Sequence, residues 1–183
     1  MTLPSFLNTL RSNWEILLPQ LVKEAKKSFK NKIEIDFEDD SFLHKIPSSF
    51  GVYIFEILPN ENFSKELFSK KWKSYKNIKC PNISSSFHKN KDIHNQWNNF
   101  YMGKSENLRK RIKEHCFHDF PKTTYGLKLK DRHELKKNST FSVAYYELKE
   151  MDSFLENKEI LQFVITNLER SLRNEFQLWV GKQ

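Results

Sequence analysis

The stretch Tyr101-Met102-Gly103-Lys104-Ser105-Glu106-Asn107-Leu108-Arg109-Lys110-Arg111-Ile112-Lys113-Glu114-His115 passes from a strand pattern to a helix pattern without a break. Trp97 to Gly103 is rich in aromatic strand formers. Ser105 stands where a helix cap is needed, and Glu106 suits the positive end of the helix that follows. That helix runs to about His115. Arg111 and His115 are four residues apart, hence on one face, beside Leu108 and Ile112. Read alone, the pair is either ordinary helix surface or a guanidinium and an imidazole held at the edge of the core, facing a sheet.

Working outward, Gly51-Val52-Tyr53 opens a second strand from Gly51 to Leu58, closed by Pro59-Asn60. Thr140 to Leu148 alternates as a third. Ile33 to Phe37 also alternates and is a candidate short strand. Helical spacing covers residues 5–30, interrupted at Pro19, which predicts a kink or two helices. Further helices are expected over Ser64 to Tyr75, Leu129 to Lys136 and Glu159 to Trp179, while 76–96 reads as loop. The order predicts an α+β fold: a small antiparallel three-stranded central sheet flanked by helices, with an N-terminal helix. Residues 1–45 form a helical extension, and 46–183 form the main domain with a basic insert at about 59–96.

The last helix carries Leu161, Val164, Ile165, Leu168, Leu172 and Phe176 as an apolar stripe, and Glu169 points along it. A carboxylate on a buried face is costly unless paired or bound to a metal. Glu169 is therefore either a rim carboxylate paired with a lysine from elsewhere or a metal ligand. Arg170 and Arg173 are expected to lie off the stripe and leave its charge uncancelled.

Net charge is +8 over 183 residues, and it is unevenly spread. Residues 59–102 contribute +5 and 103–140 contribute +6, whereas 141–183 contribute −2. Such a field attracts polyphosphate backbones, though a lysine-rich surface also serves solubility. Aromatics among the insert lysines (Phe63, Phe68, Trp72, Tyr75, Phe87) suit either base stacking or simple packing, and packing is expected for Phe68 and Trp72. Cys80 and Cys116 make no disulfide framework, which predicts a reducing cytoplasmic location. The Cys and His spacing matches no zinc pattern. No apolar run is long enough to span a membrane, and the N-terminus lacks a secretory pattern.

The two tyrosine segments, the Ser105, Asn107-Leu108, Arg111-Ile112 and His115 that follow, and Glu169 together resemble the GIY-YIG nuclease family over roughly residues 46–183. The resemblance implies a standalone nuclease, of restriction, phage-defence or mobile-element biology, that hydrolyses phosphodiester bonds in DNA, with RNA a further substrate class. It implies Tyr53 and Tyr101 positioning and deprotonating water, with a nearby cation lowering the tyrosine pKa. Arg111 would hold the scissile phosphate and His115 would aid proton transfer or orient a tyrosine. Glu169 would bind one Mg²⁺ or Mn²⁺, and Lys104 would add a positive contact. Lys70, Lys71, Lys73, Arg109, Lys110 and Lys113 would attract the nucleic-acid backbone. The chain departs from the family in its long insert and in lacking an Asn beyond Asn174, where Lys182 or Gln183 would have to substitute. The alternative readings are a non-cleaving nucleic-acid-binding module on the same fold and an unrelated basic protein.

Overall fold

The computed structural model describes residues 2–73, 79–89, 92–122, 124–149 and 158–181. Tyr75, Thr123, Lys182 and Gln183 lie outside these, as does the Lys73 side chain.

The chain forms an α+β fold around an antiparallel sheet in the order β1-β4-β2-β3. The strands are β1 (Ile33–Glu34), β2 (Gly51–Pro59), β3 (Asn98–Ser105) and β4 (Ser139–Glu147). The sheet thus has four strands, not the three expected. The extra one is the two-residue β1, pairing Ile33 with Val143 and Glu34 with Ser142. Its alternating pattern is visible in the sequence, but two residues are too short for periodicity to decide the matter. Central β2 is apolar on both faces, as a strand covered on both sides must be.

One face of the sheet presents Val52, Ile54, Met102 and Ala144 to α1 (Leu3–Ser28) and α6 (Lys158–Glu175). Leu168 and Leu172 of α6 and Val22, Ala25 and Phe29 at the end of α1 complete that layer. α1 is a single helix that continues through Pro19, rather than two. The other face presents Tyr53, Phe55, Tyr101, Phe141 and Val143 to α4 (Leu108–Phe117) and to the insert.

The insert folds onto this second face as α2 (Lys65–Lys73) and α3 (Ser85–Lys89). Phe68 and Trp72 are buried against Phe87, Phe100 and Trp179, so they pack, as expected. α3 lies where the sequence reads as loop. The last helix ends at Glu175, short of the expected Trp179. The chain then turns along the outer edge of β3, where Trp179 N–H and Val180 N–H donate to the carbonyls of Asn99 and Phe100 at 3.0 and 2.9 Å. That segment covers a sheet edge that would otherwise expose unpaired backbone. Among the described residues no helix is long and apolar enough to cross a membrane.

Candidate active site

Two local features of β3 build the site. The first is a bulge opposite Phe55/Glu56, where Phe55 pairs with Tyr101 but Glu56 pairs with Asn99. Phe100 is the extra residue, so Phe100 and Tyr101 both turn toward the second face: one fills the insert core, the other reaches the site. Bulges re-aim side chains in this way. The second feature is Gly103, in register with Tyr53. A Cβ on Gly103 would lie 2.3 Å from the Tyr53 hydroxyl oxygen and 2.6 Å from its Cζ. The Tyr53 ring therefore lies across β3 in space that any side chain at 103 would occupy.

Tyr53 and Tyr101 come together with ring centres 6.3 Å apart, and His115 of α4 sits 5.5 and 5.1 Å from the two rings. The Tyr53 hydroxyl and His115 Nε2 are 2.7 Å apart. His115 Nδ1 accepts a hydrogen bond from the backbone N–H of Leu127 at 2.9 Å. Nδ1 is thus an acceptor, so the ring proton of neutral His115 resides on Nε2 and is donated to the Tyr53 oxygen. Leu127 is held from its other side by Arg132 Nε, which donates to its carbonyl at 2.8 Å. The Arg132 guanidinium stacks on Trp72 at 3.4 Å and beside Phe120 at 5.4 Å. Insert, loop and catalytic candidates are therefore linked.

His115 is wholly buried. Burial, helped by the charges of Arg111 and Lys128, pushes its pKa well below the ordinary histidine value. Burial likewise pushes the Tyr53 hydroxyl well above its usual range, aided by Tyr101, while Arg111 pulls the other way and loses. Tyr101 is raised for the same reason, against Arg111 and Arg173. The expectation that a nearby cation lowers these tyrosines is corrected: the cation is there, but desolvation outweighs it.

Arg111 is half-buried, lies near enough to favour charge on the Tyr53 hydroxyl, and pairs with Glu114 at 2.8 Å. Glu169 Oε1 is gripped by Arg173 through Nε at 3.1 Å and Nη2 at 2.9 Å. Arg173 Nη2 also donates to the Met102 carbonyl at 2.6 Å, on β3, and its guanidinium lies 5.9 Å from the Tyr101 ring centre. This overturns the expectation that Arg173 leaves Glu169 uncancelled. Residues four apart on a helix are neighbours, and an arginine is long enough to reach back along the stripe.

The described residues hold no group of three or more His, Cys, Asp or Glu able to bind a metal. Glu169 nonetheless fits Mg²⁺ in donor type. That ion is commonly held by one or two carboxylates, with water and substrate phosphate completing its shell.

No family model matches this chain, and no curated protein or solved structure does either.

The remaining expected residues separate. Lys104 pairs with Val52 on the opposite face and donates to Thr166 Oγ1 of α6, so the structure does not bring it to the tyrosines. Arg109 donates to the Ile46 carbonyl at 2.7 Å and Lys113 pairs with Asp40 at 2.8 Å. Lys110 is exposed on α4, and Lys70 and Lys71 are exposed on α2. Ser105 does not cap α4. Asn107 does, accepting from the Lys110 N–H at 2.9 Å, while Ser105 Oγ accepts from the Asn107 N–H. A Cβ on Gly181, whose φ is +115°, would lie 3.5 Å from Arg173 Nη1 and 3.6 Å from Tyr101 Cδ2, so the C-terminal segment returns to the site. A cavity of about 250 Å³ lies apart from the tyrosines, between α2 and α5 (His133–Lys137), lined by Trp72 and Arg132 among others.

Sequence reasoning gives no role to the Leu127 backbone, Arg132 or Gly181, and it places Arg173 off the stripe. Leu127 acts through its backbone, which has no side-chain signature. The i, i+4 spacing of Glu169 and Arg173 is the one signal that points to a partner.

Proposed function

We propose that this chain is a divalent-metal-dependent nuclease that hydrolyses phosphodiester bonds in DNA, in keeping with its resemblance to the GIY-YIG nucleases. The observation that carries the reading is the Leu127–His115–Tyr53 relay lying beside Tyr101 and Arg111. A buried hydroxyl fixed by a neutral imidazole of defined tautomer, with a guanidinium in reach, suits orienting water next to a phosphate.

In this mechanism Arg111 leaves Glu114 to grip the scissile phosphate with its fork of donors. His115 donates to Tyr53 throughout and keeps its neutral form, acting as an orienting group. Tyr53 and Tyr101 hold the attacking water by their hydroxyls. A phenolate at Tyr53 would be favoured by His115 Nε2–H and by Arg111, and disfavoured by burial, so the resting enzyme holds the phenol. Water oxygen bonds to phosphorus, the P–O bond to the leaving sugar breaks, and the water proton ends on the leaving oxygen. Glu169 would hold Mg²⁺ or Mn²⁺, which when bound neutralises charge on the leaving oxygen. Lys70, Lys71 and Lys110 would attract the backbone.

A second reading, a binding module without cleavage, is favoured by the Glu169–Arg173 pair, because the carboxylate already has a counter-charge. Labelled single- and double-stranded DNA and RNA, offered with Mg²⁺, Mn²⁺ or EDTA to wild type and Glu169→Ala, separate the two. The nuclease reading expects metal-dependent cutting that is lost in the variant while salt-sensitive binding stays. Binding without cutting on every substrate supports the module instead.

A further inference from the structure

α1 projects an apolar seam that the other described residues leave uncovered. Residues 2–13 are all exposed, with Leu3 at 70%, Leu7 at 51% and Leu10 at 52% of full accessibility. Leu3, Leu7, Leu10, Trp14, Leu17 and Leu21 recur at alternating steps of four and three, the a/d spacing of a helix that packs along another helix. The lower end of the seam is used internally: Leu21 packs with Val22, Ala25 and Phe29 into the sheet layer, and Trp14 stacks on Phe163 at 5.0 Å. The upper end stays exposed at Leu3, Leu7 and Leu10.

We propose that this seam is the interface of a closed dimer, in which α1 of two copies pair antiparallel. Three observations favour a second copy as the occupant. The first is charge. Residues 2–18 contain one cation and one anion, Arg11 and Glu15, ion-paired to each other at 2.8 Å. In a chain of net charge +8 this is a neutral segment through which two copies meet without repulsion. The same neutrality argues against nucleic acid and against a lipid surface, which calls for a basic polar face. The second is self-complementarity. A dyad between Asn8 and Thr9 layers Leu7 on the partner's Leu10 and Leu3 on the partner's Trp14, so the seam matches itself.

The third is where exposed apolar surface lies. Among the described residues, Leu3, Phe6, Leu7, Leu10, Ile16 and Leu17 are exposed large apolar side chains on this one helix, and contiguous apolar surface of this kind marks a protein interface.

Light scattering on the full chain over a concentration series tests this, with wild type beside the double variant Leu7→Asp, Leu10→Asp. Wild type is expected to move from 22.0 kDa toward twice that mass as concentration rises. The double variant is expected to stay monomeric and to melt like dilute, monomeric wild type, because both leucines are exposed in the monomer. Thr9→Cys, next to the dyad, is expected to give a covalent dimer on oxidation, whereas Gln20→Cys and wild type do not. A wild type that remains at 22.0 kDa throughout overturns the proposal, whether or not it binds lipid vesicles. So do open-ended species larger than a dimer, and a double variant that dimerises as well as wild type.

Discussion

The two faces of the sheet are equally buried and differently made. Toward α1 and α6 the contacts are those of Val52, Ile54, Met102, Leu168 and Leu172, and packing alone suffices. Toward α4 the chain buries two phenols and an imidazole. Each such polar group costs free energy unless it is bonded. The Leu127 N–H, His115 and the Tyr53 hydroxyl answer that cost for one another. A face built for stability can use aliphatic residues throughout. One that carries a hydrogen-bonded relay through its core gives up some stability, and function is the usual return.

The largest stability effect is expected on the aliphatic face. Leu168→Ala should cost about 2–5 kcal/mol, read by urea unfolding, because a wholly buried side chain leaves a cavity. Cleavage per folded molecule should hardly change. On the tyrosine face the balance reverses. Gly103→Ala should destabilise by about 1–3 kcal/mol, since the new methyl must push Tyr53 aside. It should cut cleavage roughly 100-fold by misplacing the hydroxyl. A Gly103→Ala variant with wild-type cleavage would show that the Tyr53 position is immaterial.

His115 supplies a pH test of the same contrast. Burial holds it neutral in the fold, with its pKa well below the ordinary value. Below about pH 6.5 the unfolded chain takes up a proton that the native chain refuses. Stability should therefore fall as pH drops below that point, by at most about 1.4 kcal/mol per pH unit from this residue, and should gain nothing from it above. His115→Gln should flatten that dependence by one proton in urea midpoints compared at pH 7.5 and pH 5.5, about values chosen to bracket the histidine range. The smallest effects belong to the insert surface. Replacing Lys70 and Lys71 by Ala should weaken DNA binding and lower the salt slope by about one per lost phosphate contact, with the cleavage rate of bound DNA unchanged.

Much of this organisation is legible in the sequence, and the illegible parts share a cause. The alternation and apolar runs of β2, β3 and β4 announce the sheet, and the four-residue spacing of Arg111 and His115 puts the two on one face of α4. The bulge at Phe100, the bond from Leu127 N–H to His115 and the strand-like path of Trp179 and Val180 are backbone events, set by tertiary pairing. No side-chain pattern encodes them. The tyrosine pKa is misread because a sequence shows which cation is near and not how far water is excluded. Glu169 illustrates a third kind of difficulty. Its partner Arg173 is one helical turn away, yet the contact depends on a long side chain folding back toward Met102 of β3.

Cleavage of labelled DNA in Mg²⁺ by wild type and Tyr53→Phe, with unfolding curves run beside it, puts the proposed nuclease chemistry to trial. Removing one buried hydroxyl should leave the fold within about 1–2 kcal/mol of wild type and lower the cleavage rate by about 100-fold or more. Equal cleavage by the two proteins would contradict a role for the Tyr53 hydroxyl, and with it the mechanism built on the His115 relay.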